Sequence, residues 1–401
     1  MRILPLLALP LVLALPASAQ NIADVSAEDR LVHERMLVLD THLDTPMRFD
    51  SGEWDFGELH RYEWDLSQVD LPRMIEGGLD GGFFVIYTAQ GELTPAGYAE
   101  ARDRALVRAA AIHRVIGENR DRLGLALTAD DAERLHLEGK RIAFLSIENS
   151  WPLGEDLSLL ATFHRFGVRM AGPVHSRTNQ LADSTTGEAR WNGLSPLGRQ
   201  WVAEMNRLGM VIDASHSSDA AFDRMLELSE TPIVLSHSGP KAIFDHPRNL
   251  DDARMRRLAR AGGVLFMNSI FLAQHDGSDE RDAINERHES WANLNPEERR
   301  RLLRDRAALD AQRPYTPADF DLYMRALLHA IAIMGVDHVG LGADWDGGGG
   351  VIGMEDIRLL PRITARLRRE GFSEADIAKI LGGNLLRVLR AAERHAAAAR
   401  R

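Results

Sequence analysis

Six positions place a histidine or a carboxylate at the end of, or just after, a short apolar run. His42 and Asp44 follow Leu37-Val38-Leu39, and Glu148 follows Ile142-Ala143-Phe144-Leu145-Ser146-Ile147. His216 comes after Met210-Val211-Ile212, His237 after Ile233-Val234-Leu235, and Asp344 after Val339-Gly340-Leu341. Residues two apart in an extended chain project to one side, so His42 and Asp44 share a direction. Imidazole and carboxylate together suit zinc and similar ions, and a bridging carboxylate can hold two cations about 3.5–4 Å apart. One histidine at a strand end is usually a satisfied structural residue. Three of them, with acids at matching positions, point to a two-metal hydrolytic site. The chain has no cysteine, which removes thiolate nucleophiles, disulfides, Fe–S clusters and Cys-type zinc sites. Any metal is therefore held by His, Asp and Glu. His60, His113, His136 and His395 sit in helical or loop contexts and read as surface or packing residues.

The apolar runs themselves define the scaffold. Candidate strands cover 36–42, 82–88, 141–147, 168–172, 210–213, 233–236, 263–267 and 338–342, alternating with amphipathic helical patterns. Thr316-Pro317 offers a helix cap followed by proline at the first helical position, and Gly209 stops the helix before it. Eight strands, each followed by helix, predict an α/β fold of the (β/α)8 TIM-barrel type, whose active sites lie at the C-terminal strand ends. No G-x-G-x-x-G follows any strand, so a dinucleotide fold lacks its signature. The segment 273–315 is long, charged and strand-free, and it predicts a helical insertion between the seventh and eighth strands, over the barrel mouth. Within it, Asn295-Pro296-Glu297-Glu298 reads as a cap and acidic first turn for a helix over 296–311. Gly347-Gly348-Gly349-Gly350 reads as a flexible loop, since no Lys-Ser/Thr follows to make a phosphate cradle.

Arg2, a nearly apolar stretch to Pro16 and Ala17-Ser18-Ala19 form the pattern of a cleaved secretory signal over 1–19. The expectation is a single domain over 20–401, exported, periplasmic or secreted, with no stable membrane anchor. The formal charge of −11, from 48 Lys plus Arg against 59 Asp plus Glu, argues against a nucleic-acid partner or an anionic membrane surface.

Several longer motifs carry a family resemblance. Leu39-Asp40-Thr41-His42-Leu43-Asp44-Thr45-Pro46, Gly193-Leu194-Ser195-Pro196-Leu197-Gly198-Arg199, Asp213-Ala214-Ser215-His216, His246-Pro247-Arg248-Asn249 and Gly342-Ala343-Asp344-Trp345-Asp346-Gly347 resemble those of the membrane (renal-type) dipeptidases, dizinc peptidases on an amidohydrolase-type barrel. So do Met205-Asn206-Arg207-Leu208-Gly209-Met210 and Gly383-Asn384-Leu385-Leu386-Arg387-Val388, and the resemblance runs from about Leu37 to Arg390. It implies a cofactor of two Zn2+ ions. His42 and Asp44 would be ligands of one, His216 and His237 of the other, with Glu148 bridging both. Glu148-Asn149-Ser150 departs from the Glu-Gly-Gly form common in the family. The resemblance further implies that His175 contacts the scissile carbonyl as a protonated or neutral donor, that Arg248 binds the substrate carboxylate, and that Asp344 moves the proton. Asp346, two residues on, competes for that last role, and motif register favours Asp344. The implied reaction is hydrolysis of a dipeptide by a metal-bridged hydroxide, with D-configured C-terminal residues tolerated, in a chain whose relatives often form homodimers.

Two other functions fit the same residues. A related barrel hydrolase of N-acyl amino acids or lactones would share the metal site. A secreted binding protein without catalysis would be expected to lack a ligand, and none is lacking. Asp40 and Asp213 either orient a ligand histidine from behind or end their strands as plain acids. Trp54, Trp64, Trp151 and Trp191 either line the mouth or only pack.

Overall fold

The structure, a computed structural model, describes residues 25–399, so the expected signal segment lies outside the described residues. Among the described residues nine strands form, all paired in parallel: β1 (Leu39–Leu43), β2 (Gly81–Tyr87), β3 (Leu123–Leu125), β4 (Arg141–Glu148), β5 (Val168–Ala171), β6 (Val211–Ile212), β7 (Val234–Ser238), β8 (Val264–Met267) and β9 (Val339–Leu341). Their order is β6-β5-β4-β2-β1-β9-β8-β7, and a parallel bridge from Asp213 to Val234 joins the two ends, nearly closing an eight-stranded barrel. The ninth, β3, pairs only with β4 and stands outside the ring. It escaped the sequence reading because three residues are too few to show a period.

Strands packed on both faces read as continuous apolar runs, and the two faces go to different places. Leu39, Phe83, Phe144, Met170, Val211, Val234 and Val264 fill the barrel interior, with Phe83 and Phe144 stacked at 5.2 Å. The helix Asn384–Ala399 plugs that core with Leu385, Leu386, Leu389 and Ala392. Phe84, Ile86, Leu145, Ile147, Ile212 and Leu265 belong instead to the larger core shared with the surrounding helices.

Punctuation worked where it was local. Ser195 caps Pro196–Leu208 by accepting from Gly198 N–H, and Gly209 ends that helix at φ 75°. Asn295 and Glu298 form a reciprocal capping box for Pro296–Gln312. The cap expected at Thr316-Pro317 is displaced: the helix is Phe320–Met334, capped by Asp319, which accepts from Leu322 N–H. The intervening residues are held extended, since Ile352 N–H donates to Ala318 O and Phe320 N–H to Ile352 O. The insertion carries helices Asp279–Glu289 and Pro296–Gln312, and Arg306 donates to Tyr62 Oη at 2.8 Å, tying it to the short helix Tyr62–Asp65 that follows β1.

Candidate active site

Each site residue is set by how its strand ends. Asp40 is fully buried, and its two oxygens accept from His42 N–H (2.9 Å) and Ala343 N–H (3.0 Å). It thus clamps the end of β1 to the end of β9. Burial pushes its carboxyl up to about 6, against the pull of those two bonds. Asp213 does the same across β6 and β7, accepting from Ser215 N–H (3.0 Å) and Ser236 N–H (2.8 Å). Pairing registers slip between Asp40 and Leu43 and between Leu235 and Ser238, at the strands that carry His42 and His237. Such irregularities re-aim side chains next to functional sites.

Backbone strain gathers at the same rim. Asn149, His216, Asp344 and Asp346 all have φ between 63° and 67°. Few L-residues other than Asn and Asp adopt that region readily, so its concentration here is a cost borne at the site. The departure at Asn149 now has a reason. The position needs a left-handed residue, which glycine supplies freely and asparagine tolerates, and the Asn149 amide donates to Thr88 O. The glycine loop after Asp346 is not the free loop expected. A Cβ at Gly347 would lie 2.1 Å from Asp44 Oδ2 and 2.2 Å from Asp344 Oδ1, so glycine is what lets the backbone approach both acids.

The barrel brings the six strand-end residues together. Glu148 sits among the histidines: its Oε1 lies 2.9 Å from His216 Nε2 and 3.5 Å from His237 Nε2, and its Oε2 lies 3.6 Å from His42 Nε2. Asp44 Oδ2 is 3.3 Å and Asp344 Oδ1 4.0 Å from His42 Nε2. Three overlapping groups, His42/Glu148/His237, Glu148/His175/His216 and His42/Asp44/Asp344, each present ligand atoms within 4.8 Å of one another. Both ring nitrogens of His42 and Oδ1 of Asp44 are buried without a hydrogen-bond partner among the described residues. Buried polar atoms are rarely left so, and this donor set fits divalent cations of the zinc type.

Electrostatics agree with that fit. Burial works to lower the His42 pKa, yet the Glu148 and Asp44 carboxylates beside it raise it well above the usual value. The acids therefore demand positive charge at the centre of the cluster. Burial, with Arg248 among the neighbouring positive groups, holds His216 and His237 well below the usual imidazole range, in the neutral form that ligates metals. Asp344 is pushed up to about 7, by burial first and by Asp44 and Glu148, against His42 and Arg248.

The remaining candidates fall on the rim or elsewhere. His175 Nε2 lies 3.9 Å from Glu148 Oε1, and its ring packs 4.1 Å from that of His216. Burial lowers its pKa, which favours a neutral donor over the protonated form. Arg248 is buried beside the cluster, its guanidinium 5.1 Å over the Phe271 ring, with Nη2 donating to His237 O and Nε unpartnered. Asp346 faces away from the cluster. It accepts from Thr45 Oγ1 (2.6 Å) and Gln68 N–H (2.8 Å). Asp40 holds backbone rather than an imidazole ring. Trp151 is buried, Trp64 is exposed under Arg61, and Trp54 and Trp191 donate to Asp65 and to Asn179 O. His60, His113, His136 and His395 bind Asp65, Phe166 O, Asp80 and Glu230, outside the cluster. Sequence reasoning missed Ser236, although a serine directly precedes both His216 and His237.

A family model described as membrane dipeptidase, peptidase family M19, matches residues 26–401. The chain belongs to the membrane dipeptidase family. Like other members of that family it is a dipeptidase, a peptide-bond hydrolase of metallopeptidase type. Dipeptidase tcpJ of Claviceps purpurea is 31% identical over 332 residues, covering 81% of this chain and 69% of that protein. The probable dipeptidase PvdM from Pseudomonas aeruginosa superposes with a TM-score of 0.79 at 30% identity, over 92% of this chain and 98% of that one. A metallopeptidase from Rhodobacter sphaeroides, solved with a phosphinate mimic of the dipeptide L-Ala-D-Ala, gives 0.70 at 26% identity, over 89% and 99%. Among the described residues no helix is long and apolar enough to cross a membrane.

Proposed function

We propose that this dipeptidase is a binuclear zinc enzyme that cleaves dipeptides, including those with a D-configured C-terminal residue. The observation that carries the reading is the two-sided placement of Glu148. Its Oε1 faces His216 and His237, while its Oε2 faces His42, which is paired with Asp44. With that carboxylate between them, the ligands would fall into two half-sites, His42/Asp44 and His216/His237, as the family resemblance implies. When bound, the cations supply Lewis acidity that brings a water's pKa down to about 7 and polarises the scissile carbonyl. Asp344, whose Oδ1 lies 4.0 Å from His42 Nε2 at the edge of the cluster, takes the proton of the attacking water and returns it to the leaving amine. His175 donates from Nε2 to the oxygen that becomes negative, with the Ser176 hydroxyl 2.6 Å away at its Nδ1. The Rhodobacter peptidase, bound to a mimic of L-Ala-D-Ala, supports tolerance of D-residues at the leaving position. The leader pattern of residues 1–19 supports export.

The test is metal content with turnover on the purified chain. Close to two zinc equivalents are expected, with L-Ala-D-Ala and L-Ala-L-Ala both hydrolysed and N-acyl-D-amino acids left intact. Activity that persists with no metal after chelation and reloading would end the dizinc reading. Preference for the N-acyl substrates would make the enzyme a different amide hydrolase.

Arg248 supplies a second prediction. Its planar fork of donors matches a carboxylate as lysine cannot, and it lies buried beside the cluster, donating from Nη2 to His237 O. A charged hydrogen bond there is worth about 1.5–3 kcal/mol, or roughly ten- to a hundredfold in kcat/KM. Dipeptides are therefore expected to be cleaved far better than their C-terminal amides, and Arg248→Met to erase that preference. Equal rates for acid and amide on the unsubstituted enzyme would remove Arg248 from the carboxylate role.

A further inference from the structure

We propose that Ser236, held by Asp213, is the positioning residue that presents the Nε2 lone pair of His237 to the metal site. The inference rests on the ligand reading above and assigns a function to two residues outside it. Ser236 Oγ lies 2.6 Å from Asp213 Oδ2 and 2.8 Å from His237 Nδ1. Asp213 already accepts two backbone N–H groups at Oδ1, and a carboxylate offers only acceptors. The single hydroxyl proton of Ser236 therefore goes to Asp213. Toward His237 the hydroxyl has only a lone pair left, so Nδ1 must carry the hydrogen. A neutral imidazole has one N–H, which leaves Nε2 bare, and Nε2 is the atom that faces Glu148 Oε1 and His216 Nε2.

No solvent competes for these bonds. Ser236 is 0% exposed, His237 1% and Asp213 5%. Ser215 secures the same strand end, its Oγ accepting from His237 N–H at 3.2 Å. His175 shows what the carboxylate decides. It too has a serine at Nδ1, but no carboxylate among the described residues bonds Ser176 Oγ, so that hydroxyl is free to donate and to leave Nε2–H as a donor. The same contact thus yields a ligand nitrogen in one case and a hydrogen-bond donor in the other. Orienting partners of this kind are worth about 10–100-fold in metal affinity.

The experiment is zinc titration of the metal-free full chain against a competing chelator, with circular dichroism confirming the fold of each variant. Ser236→Ala is expected to weaken one of two zinc equivalents by roughly ten- to a hundredfold and to leave the other unchanged. Asp213→Asn is the independent variant. Its amide keeps an acceptor for the two backbone N–H groups but turns an NH2 toward Ser236, which reverses the hydroxyl and places its proton against His237 Nδ1. It should weaken the same equivalent while retaining the hydroxyl, and in the Ser236→Ala background it should add nothing. Unchanged affinity in both single variants would overturn the proposal. His237→Ala separates the two levels: if it keeps both equivalents at full affinity, the ligand reading itself fails. If it loses one while the Ser236 and Asp213 variants lose none, only the positioning role fails.

Discussion

Replacing Glu148 by glutamine is expected to empty both half-sites and to lower turnover by about 10³-fold or more. The side chain keeps its length, so the change is one of charge and donor type. Glutamine offers a single acceptor oxygen and an amide NH2 that cannot ligate a cation. Glu148 uses Oε1 toward His216 and His237 and Oε2 toward His42, so whichever way the amide settles, one half-site faces NH2. The other loses the negative charge that balanced its cation. His42 is informative in the same variant, because Glu148 and Asp44 together raise its pKa, and removing one of them should bring it back toward the usual imidazole value. Elemental analysis together with steady-state kinetics checks the outcome. Two retained equivalents with full activity would make Glu148 a structural acid and leave the bridge to another carboxylate.

Asp344→Asn is expected to cut kcat by roughly 10²–10⁴-fold while leaving zinc content near two equivalents and KM within a few-fold. A proton carrier acts in the chemical step, so its removal is felt there and little in binding. Asp344 Oδ1 lies 4.0 Å from His42 Nε2 and shares a potential ligand group with His42 and Asp44. Metal content therefore distinguishes the two roles: loss of an equivalent would mark Asp344 as a ligand. Asp346→Asn is the comparison. Its carboxylate is spent on Thr45, Gln68 and, at 3.7 Å, Arg48 Nε, which ties the loop after β9 to the segment after β1. An asparagine keeps one acceptor there, so the expected cost is about 1 kcal/mol of stability with kcat reduced less than tenfold. The reverse ranking would mean that Asp346, not Asp344, carries the proton.

Much of the molecule was legible because it is local. Apolar runs of four to eight residues bounded by turn residues marked the longer strands, and caps such as Ser195 and Asn295 work through neighbours three residues away. The strand-end residues were legible for the same reason. In a parallel barrel every strand delivers its last residues to one mouth, so His42, Glu148, His216, His237 and Asp344 need only be recognised as strand ends to be placed together. The motifs around them carried the family resemblance without any coordinates.

What the tertiary structure decided lies between segments distant in sequence. The extended stretch before Phe320 depends on Ile352, which no pattern at Thr316-Pro317 can reveal. Asp344 and Asp346 sit two apart and would point the same way in an extended strand, yet both have left-handed backbones, and one turns into the cluster while the other turns to Gln68. Ser236 reads in sequence as an ordinary small strand residue. It gains a role only where barrel closure brings Asp213 of the preceding strand end against it. Composition and periodicity settle which residues reach the mouth, because they act within a strand or a helix. Which oxygen faces which nitrogen is settled by register slips, left-handed residues and contacts across the closed barrel, because hydrogen-bond geometry is decided over tenths of an ångström between chains that meet only after folding.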